Sequence, residues 1–130
     1  MRTSITHSNK SLLFFYLGVF FWLSSILPSS ATGAELLMFE SSACTWCEAW
    51  DEEVGVIYDK TDEGKLLPLR KIDIADPLPP SLYWLRGIVF TPTFIVVDDN
   101  KEIGRIIGYH GEDFFWGYLT NLARKVPRQP

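Results

Sequence analysis

The chain has 130 residues, with 12 basic and 16 acidic side chains and a formal net charge of −4 at pH 7. This length is typical of one domain. Nucleic-acid-binding domains carry basic patches, and the acidic balance of this chain excludes that class. We therefore expect no nucleic acid among its partners.

The first 34 residues differ in composition from the rest. They contain no Asp or Glu, and Arg2 and Lys10 precede an apolar stretch from Leu12 to Leu27. Small residues then follow as far as Ala34, as they do at a signal-peptidase site. This order predicts a secretory signal peptide. The alternative is an uncleaved membrane anchor, although the apolar stretch is shorter than the roughly 20 residues of a spanning helix. Cleavage after Ala34 leaves a domain over 35–130, with 96 residues and a formal charge of −6.

Four strands and three helices are predicted after residue 34. Strands are expected over 35–40, 66–74, 93–97 and 102–109, and helices from Cys44, over 80–85 and over 112–126. Residues 61–65 are expected to form a polar loop, and the prolines at 77, 79 and 80 exclude regular structure before the second helix. The order β-α-β-α-β-β-α predicts an α/β fold, in which helices flank a mixed four-stranded sheet. Its first two strands are expected to be parallel, and its last two to form an antiparallel hairpin.

Cys44 and Cys47 are the two cysteines of the chain, and they stand where the first strand ends and the first helix begins. Two intervening residues bring both sulfur atoms to one side of the first helical turn, close enough to bridge. Backbone N–H groups and the helix dipole stabilise a thiolate at a helix N-terminus. We therefore predict thiol–disulfide exchange, with Cys44 as the exposed nucleophile and Cys47 as the more buried resolving thiol.

Two other interpretations of the cysteine pair stay open. In an exported protein, the pair can form a stable structural disulfide. It can also supply part of a zinc site shared between subunits. Zinc takes about four ligands, and residues 35–130 offer only His110 as a further histidine or cysteine. We therefore expect no metal site within one chain.

A second signal, Thr91-Pro92-Thr93, opens the third predicted strand. A proline at this position removes a donor from the sheet. With a cis Thr91–Pro92 bond, the backbone of Thr91 would lie beside the thiols and could pair with an extended partner peptide. A trans proline that begins an edge strand is the alternative, since about 5–6% of X-Pro bonds are cis. The context favours the cis form.

Other residues near these two signals are candidates for contact with a partner. Thr45 and Trp46 lie between the cysteines, and Gly108 stands at the end of the fourth predicted strand. Trp46 could equally cap the core, and Gly108 could mark a bulge. By helical spacing, Trp50 and residues 114–116 are expected in the core, whereas the acidic run at 51–53 is expected on a solvated helix face.

These residues together resemble a known family. The motif C-T-W-C after an apolar strand, and T-P-T before a later one, resemble the thioredoxin superfamily over essentially all of 35–126. The stretches 36–51 and 91–119 are similar to the exported, SoxS-type thioredoxins of bacterial sulfur-oxidation (Sox) clusters. The resemblance implies a small thioredoxin-like fold and a periplasmic protein-disulfide reductase, anchored to the membrane if the signal is not cleaved.

The resemblance also implies partners. The expected substrate is a protein disulfide, such as that of the sulfur-carrier protein SoxY, and the expected electron donor is a membrane thiol transporter. No cofactor is expected besides the redox-active disulfide of Cys44 and Cys47. The sequence does not fix the direction of exchange, so a dithiol oxidant remains the alternative enzyme.

The chain departs from ordinary thioredoxins at the proton acceptor for the resolving cysteine. The buried acid that thioredoxins carry six residues before the first cysteine corresponds to Met38. The lysine that they carry on the next strand corresponds to about Leu69. We therefore expect that water, or Glu40 at the end of the first strand, takes the proton of Cys47.

Overall fold

The computed structural model describes residues 33–127. The signal segment predicted over 1–34 lies outside the described residues, apart from its last two, and stays a prediction. Within 33–127, no helix is both long enough and apolar enough to cross a membrane.

A four-stranded sheet lies at the centre of the structure. Its strands are β1 (Glu35–Glu40), β2 (Leu69–Asp73), β3 (Thr93–Asp98) and β4 (Lys101–Ile107), in the spatial order β2-β1-β3-β4. β1 is parallel to β2 and antiparallel to β3, which forms an antiparallel hairpin with β4. The mixed four-stranded α/β sheet is therefore confirmed. β1 and β3 read as continuous apolar runs because they are the two central strands and are covered on both faces.

The helix after β1, α1, has three consecutive stretches. It begins as α-helix over Thr45–Trp50, continues as π-helix over Asp51–Gly55 and ends as α-helix over Val56–Tyr58. A regular α-helical repeat continued from Trp50 and Val54 would bury Ile57, but Ile57 is exposed and Tyr58 is fully buried. The wider π-helical turn explains this change, because it carries the buried side from Val54 on to Tyr58.

Residues 61–65, predicted as a polar loop, contribute instead to a second helix, α2 (Asp62–Leu66). The hydroxyl oxygen of Thr61 caps this helix by accepting a hydrogen bond from the N–H of Gly64 at 3.0 Å. The loop prediction was wrong because Gly64 usually indicates a turn. Here a side chain at Gly64 would overlap the carbonyl oxygen of Tyr58, so glycine permits the close approach of α2 to the end of α1. β2 consequently starts at Leu69, three residues later than predicted.

The helix predicted over 80–85 is reduced to one 3₁₀ turn at Pro80–Leu82. The observed order of regular elements is therefore β-α-α-β-β-β-α. The segment 74–92 still covers one face of the sheet, since Leu82 and Leu85 are buried against it. Arg105 of β4 holds this segment by donating to the carbonyl oxygens of Arg86 at 3.0 Å and Gly87 at 3.2 Å.

The opposite face of the sheet is covered by α1 and by the last helix, α3 (Glu112–Ala123). α3 ends three residues before its predicted end, and β4 ends at Ile107 because Gly108 has a positive φ of 79°. Trp50 of α1 packs against Phe94 and Phe115, with ring centroids 5.3 and 5.5 Å away. Phe114, predicted in the core, is 62% exposed, because only one side of α3 faces the sheet.

Candidate active site

Cys44 and Cys47 are joined by a disulfide, with an S–S distance of 2.05 Å and Cα atoms 5.2 Å apart. Cys44 is the N-cap residue of α1, and the exposed Thr45 begins the helix. The sulfur atom of Cys44 accepts a hydrogen bond from the backbone N–H of Cys47 at 3.1 Å. This sulfur therefore lies at the positive end of α1, where a backbone donor and the helix dipole stabilise negative charge.

Both cysteine side chains are buried in the disulfide form. The exposed fraction is 7% for Cys44 and 4% for Cys47. Cys44 is slightly more exposed than Cys47, as expected, but it is not the exposed residue that the sequence predicted. Its sulfur is bonded to Cys47 and lies over the first turn of α1 instead of pointing into solvent.

The Thr91–Pro92 peptide bond is cis, and it lies beside the loop that leads to Cys44. The hydroxyl of Thr91 is 3.2 Å from that of Ser41, and the carbonyl oxygen of Ser41 accepts from the N–H of Cys44 at 3.2 Å. Within the described part of the chain, the N–H and C=O of Thr91 have no backbone hydrogen bond. These two groups remain able to pair with another polypeptide.

Gly108 joins the end of β4 to the Pro92 turn, since its N–H donates to the carbonyl oxygen of Pro92 at 2.8 Å. Its positive φ of 79° favours glycine, and an added Cβ would stand 3.4 Å from Nε2 of His110. The irregularity in the pairing of β3 with β4 lies at Val96 and Val97, not at Gly108. Gly108 therefore allows the chain to turn toward His110 and does not form a bulge.

A groove of about 520 Å³ lies between the first turns of α1 and the loop after β4. We call it the α1 groove. Its lining residues are Trp46, Ala49, Glu53, Gly108, Tyr109, His110 and Gly111. Trp46 is 62% exposed, so it forms part of the rim and does not cap the core. The groove begins next to the disulfide, because Trp46 stands between the two cysteines in the chain.

Glu53 is held in place on the wall of the α1 groove. The hydroxyl of Tyr109 donates to Oε2 of Glu53 at 2.5 Å. Burial of Tyr109 raises the pKa of its hydroxyl, and the hydrogen bond and charge of Glu53, together with the charge of Glu112, raise it further. Tyr109 therefore stays a hydrogen-bond donor at all physiological pH values.

On the other flank of α1, Lys71 of β2 bridges two carboxylates. Its Nζ is 2.8 Å from Oε2 of Glu40 and 2.7 Å from Oδ2 of Asp51. Partial burial lowers the pKa of Lys71, but hydrogen bonds and charge from Asp51 and Glu40 outweigh it and raise the pKa overall. We call these three residues the Lys71 cluster. Glu52 and Glu53 are exposed and Asp51 is partly exposed, as expected for a solvated helix face. The contacts of Asp51 with Lys71 and of Glu53 with Tyr109 were not predicted, because neither follows from local sequence.

No group of three or more His, Cys, Asp or Glu side chains within 33–127 is arranged to hold a metal ion. His110 instead lines the α1 groove.

Comparison with solved structures places this fold and site in a family. The chain is similar to the periplasmic thioredoxin SoxS from Paracoccus pantotrophus in its reduced form, with 44% sequence identity and a TM-score of 0.66. The similarity covers 71% of this chain and 97% of SoxS. The chain belongs to the thioredoxin superfamily. The resemblance to SoxS-type thioredoxins is thereby confirmed.

Two further structures share the thioredoxin fold at lower identity. A thioredoxin-fold protein from Helicobacter pylori is 17% identical, with 72% of this chain and 70% of that chain covered and a TM-score of 0.58. A thioredoxin from Thermus thermophilus is 20% identical, with 72% and 75% covered and a TM-score of 0.55. No protein-family model and no curated protein matches the chain. The fold, the Cys44–Cys47 disulfide and the similarity to SoxS support thiol–disulfide oxidoreductase activity for this thioredoxin.

The structure also corrects the comparison with ordinary thioredoxins. Met38 is fully buried, and the residue paired with it on β2 is Lys71, not Leu69. This thioredoxin therefore has a lysine opposite Met38, and Glu40 and Asp51 supply the carboxylates around it.

Proposed function

We propose that the chain is an exported protein-disulfide reductase, with Cys44 as nucleophile and Cys47 as resolving thiol. The observation that supports these roles best is the hydrogen bond from the Cys47 N–H to the Cys44 sulfur at the start of α1. This arrangement lowers the free energy of a thiolate on Cys44 more than on Cys47, which lies one turn into the helix. The thiolate is the attacking species in thiol–disulfide exchange.

The reaction proceeds in two exchanges. The Cys44 thiolate attacks one sulfur of the partner's disulfide, so that a Cys44–partner disulfide forms and the partner's second sulfur leaves as a thiolate, which takes up a proton. Cys47 then loses its proton and attacks the sulfur of Cys44. The Cys44–Cys47 disulfide forms and the partner's first sulfur is released as a thiol. The partner gains two electrons and the chain loses two.

The partner is held next to Cys44 by the Pro92 turn and the rim of the site. The unpaired N–H and C=O of Thr91 can bond the backbone of an extended partner segment, as a sheet edge does. Trp46 offers an exposed aromatic surface beside it, and Thr45 flanks Trp46. Gly108 positions the Pro92 turn and brings no side chain into the path of the segment.

The periplasm is the proposed compartment, and the sulfur carrier SoxY is the proposed partner. The signal-like composition of the first 34 residues and the similarity to the periplasmic SoxS support this location. A membrane thiol transporter would return the Cys44–Cys47 disulfide to the dithiol. Export also explains why a dithiol couple needs such a donor, since the periplasm is kept oxidising.

The reduction potential of the Cys44–Cys47 couple in the 35–130 protein tests the direction. We expect a value near that of thioredoxin, about −270 mV. A value near about −120 mV would make the protein a dithiol oxidant, and a pair that resists reduction below about −300 mV would be a structural disulfide.

Trapping of the partner tests the roles of the two cysteines. We expect Cys47→Ser to accumulate a mixed disulfide with a periplasmic protein, because the second exchange is removed. Cys44→Ser is the matched control and should trap nothing, since it removes the nucleophile. A mixed disulfide that forms through Cys47 in the Cys44→Ser variant would reverse the proposed roles.

A further inference from the structure

The α1 groove carries a negative charge that the proposed exchange does not use. Its lining residues include Glu53 and no lysine or arginine. Glu53 is anchored through Oε2 by Tyr109, and its Oε1 has no hydrogen-bond partner among the described residues. The carboxylate is thus fixed on the wall with one oxygen available to a donor from outside.

The surroundings of the groove strengthen this negative potential. Glu112 lies close enough to Tyr109 to raise the pKa of its hydroxyl. On α1, the exposed Glu48 directly precedes the lining position Ala49 in the chain. A cation that enters the groove is therefore favoured, whereas an anion is repelled.

The rim of the groove suits the same kind of ligand. Trp46 is 62% exposed and lines the groove opposite the loop that contains His110. The face of an indole ring is the best aromatic partner for a guanidinium or ammonium group. A side chain with an apolar stem and a cationic head would pack its stem on the apolar lining and its head near Glu53.

The position of the groove identifies where that side chain comes from. Trp46 follows Cys44 by two residues, and the N–H of Gly108 binds the carbonyl oxygen of Pro92. A partner segment that pairs with Thr91 and presents its sulfur to Cys44 passes within one or two residues of the groove.

We propose that the α1 groove binds an arginine or lysine side chain of the partner protein, close in sequence to its reactive cysteine. The groove would then select partners by this flanking basic residue. This inference rests on the proposed disulfide reductase function and adds the chemistry of its substrate to it.

Peptide substrates test this inference. The probes are cysteine peptides linked as disulfide homodimers, with one arginine at each of three positions on either side of the cysteine, and a matching set with glutamine. The rate of oxidation of the reduced protein is measured at low ionic strength and pH 7.5. At the best position, we expect the arginine peptide to react about fivefold faster than its glutamine counterpart.

Two protein variants distinguish binding of arginine in the groove from attraction of a cationic peptide to the acidic protein as a whole. Glu53→Gln keeps an oxygen for the Tyr109 hydroxyl but removes the charge, so the arginine preference should fall close to unity. Glu52→Gln removes one charge from the neighbouring exposed position outside the groove, and should keep both the preference and the basal rate. Both variants should keep the reduction potential of the wild type, because neither touches the disulfide.

The outcomes are distinguishable. An arginine preference that survives in Glu53→Gln, or falls equally in both variants, would overturn the inference. A faster reaction with leucine than with arginine at the same positions would assign the groove to an apolar side chain and overturn it also. If arginine and glutamine peptides react equally fast, the inference fails and the reductase stands. If the reduced protein reacts with none of the peptides, the proposed function itself fails.

Discussion

Helix α1 presents one carboxylate on each of its two flanks, and the two carboxylates have different partners. On one flank, Asp51 binds Lys71, which also binds Glu40. On the other flank, Glu53 binds the neutral hydroxyl of Tyr109, and no lysine or arginine lines the groove around it. One carboxylate is paired with a cation, whereas the other is bound only by a neutral hydrogen-bond donor.

The carboxylates on the two flanks therefore differ in whether a cation of the protein pairs with them. The Lys71 cluster joins β1, β2 and α1, and two carboxylates share its single ammonium group. The cluster therefore links α1 to the sheet. Glu53 accepts a hydrogen bond from Tyr109, but no lysine or arginine lines the groove to neutralise its charge.

The largest effect is expected for Glu40→Gln, which removes one of the two carboxylates that bind Lys71. Leu36 and Met38 face α1 whereas Leu37 and Phe39 face away, and the alternation places Glu40 on the α1 side. If Glu40 takes the proton of Cys47, its loss should slow the second exchange about 100-fold, a typical contribution of general base catalysis. Stopped-flow release of a peptide thiol from its mixed disulfide with Cys44, measured across pH, gives this rate.

Asp51→Asn is the matched control for that experiment, because it also leaves Lys71 with one carboxylate. We expect it to slow the second exchange much less than Glu40→Gln does. An unchanged rate in Glu40→Gln at every pH would assign the proton to water. Equal slowing in both variants would mean that the cluster acts through the charge of Lys71 and not through Glu40 as a base.

The next largest effect is expected for Tyr109→Phe, which removes the hydrogen bond to Glu53 on the other flank of α1. Tyr109 is 4% exposed and loses one hydrogen bond to a carboxylate, which corresponds to about 1.5 kcal/mol of unfolding free energy. Thermal or urea unfolding measures the loss. Tyr118→Phe, at a position 57% exposed on α3, is the control and should change stability little. Equal losses in the two variants would show that the Tyr109–Glu53 bond does not stabilise the fold.

Local patterns in the sequence were sufficient for the elements that position the thiols. The apolar runs at 35–40 and 93–97 predicted two of the strands, and Asp-Asp-Asn at 98–100 is a turn sequence that favours the hairpin. The position of Cys44 before a helical pattern predicted its place at the N-terminus of α1. Each of these features depends on residues adjacent in the chain.

Features that depend on distant contacts were missed or misassigned. Gly64 indicated a loop, but its role is set by the carbonyl group of Tyr58 across the turn. The lysine opposite Met38 was assigned near Leu69, because only the register of β1 with β2 shows that Lys71 is its partner. The bond between Glu53 and Tyr109 joins residues 56 positions apart. No periodicity in either segment indicates it.

The smallest effect is expected for Lys71→Met, which leaves the carboxylates on this flank without a cation, as Glu53 is on the other. The Lys71 side chain is 35% exposed, so solvent screens its ion pairs, and we expect a loss of about 1 kcal/mol of unfolding free energy at pH 7. Lys60→Met is the control at an exposed position without a salt bridge in the described residues, and should lose little.

The pH dependence of this loss identifies its origin. Folding raises the pKa of Lys71 above its ordinary 10.5, because the two carboxylates favour the charged ammonium. The stabilisation is therefore complete below pH 10.5 and is lost as the pH rises through the higher pKa of the folded state. Urea unfolding from pH 7 to 11 should show the wild type approaching Lys71→Met only at the alkaline end. A difference that stays constant over this range would come from packing of the lysine stem, and the two flanks of α1 would then differ less in charge than in shape.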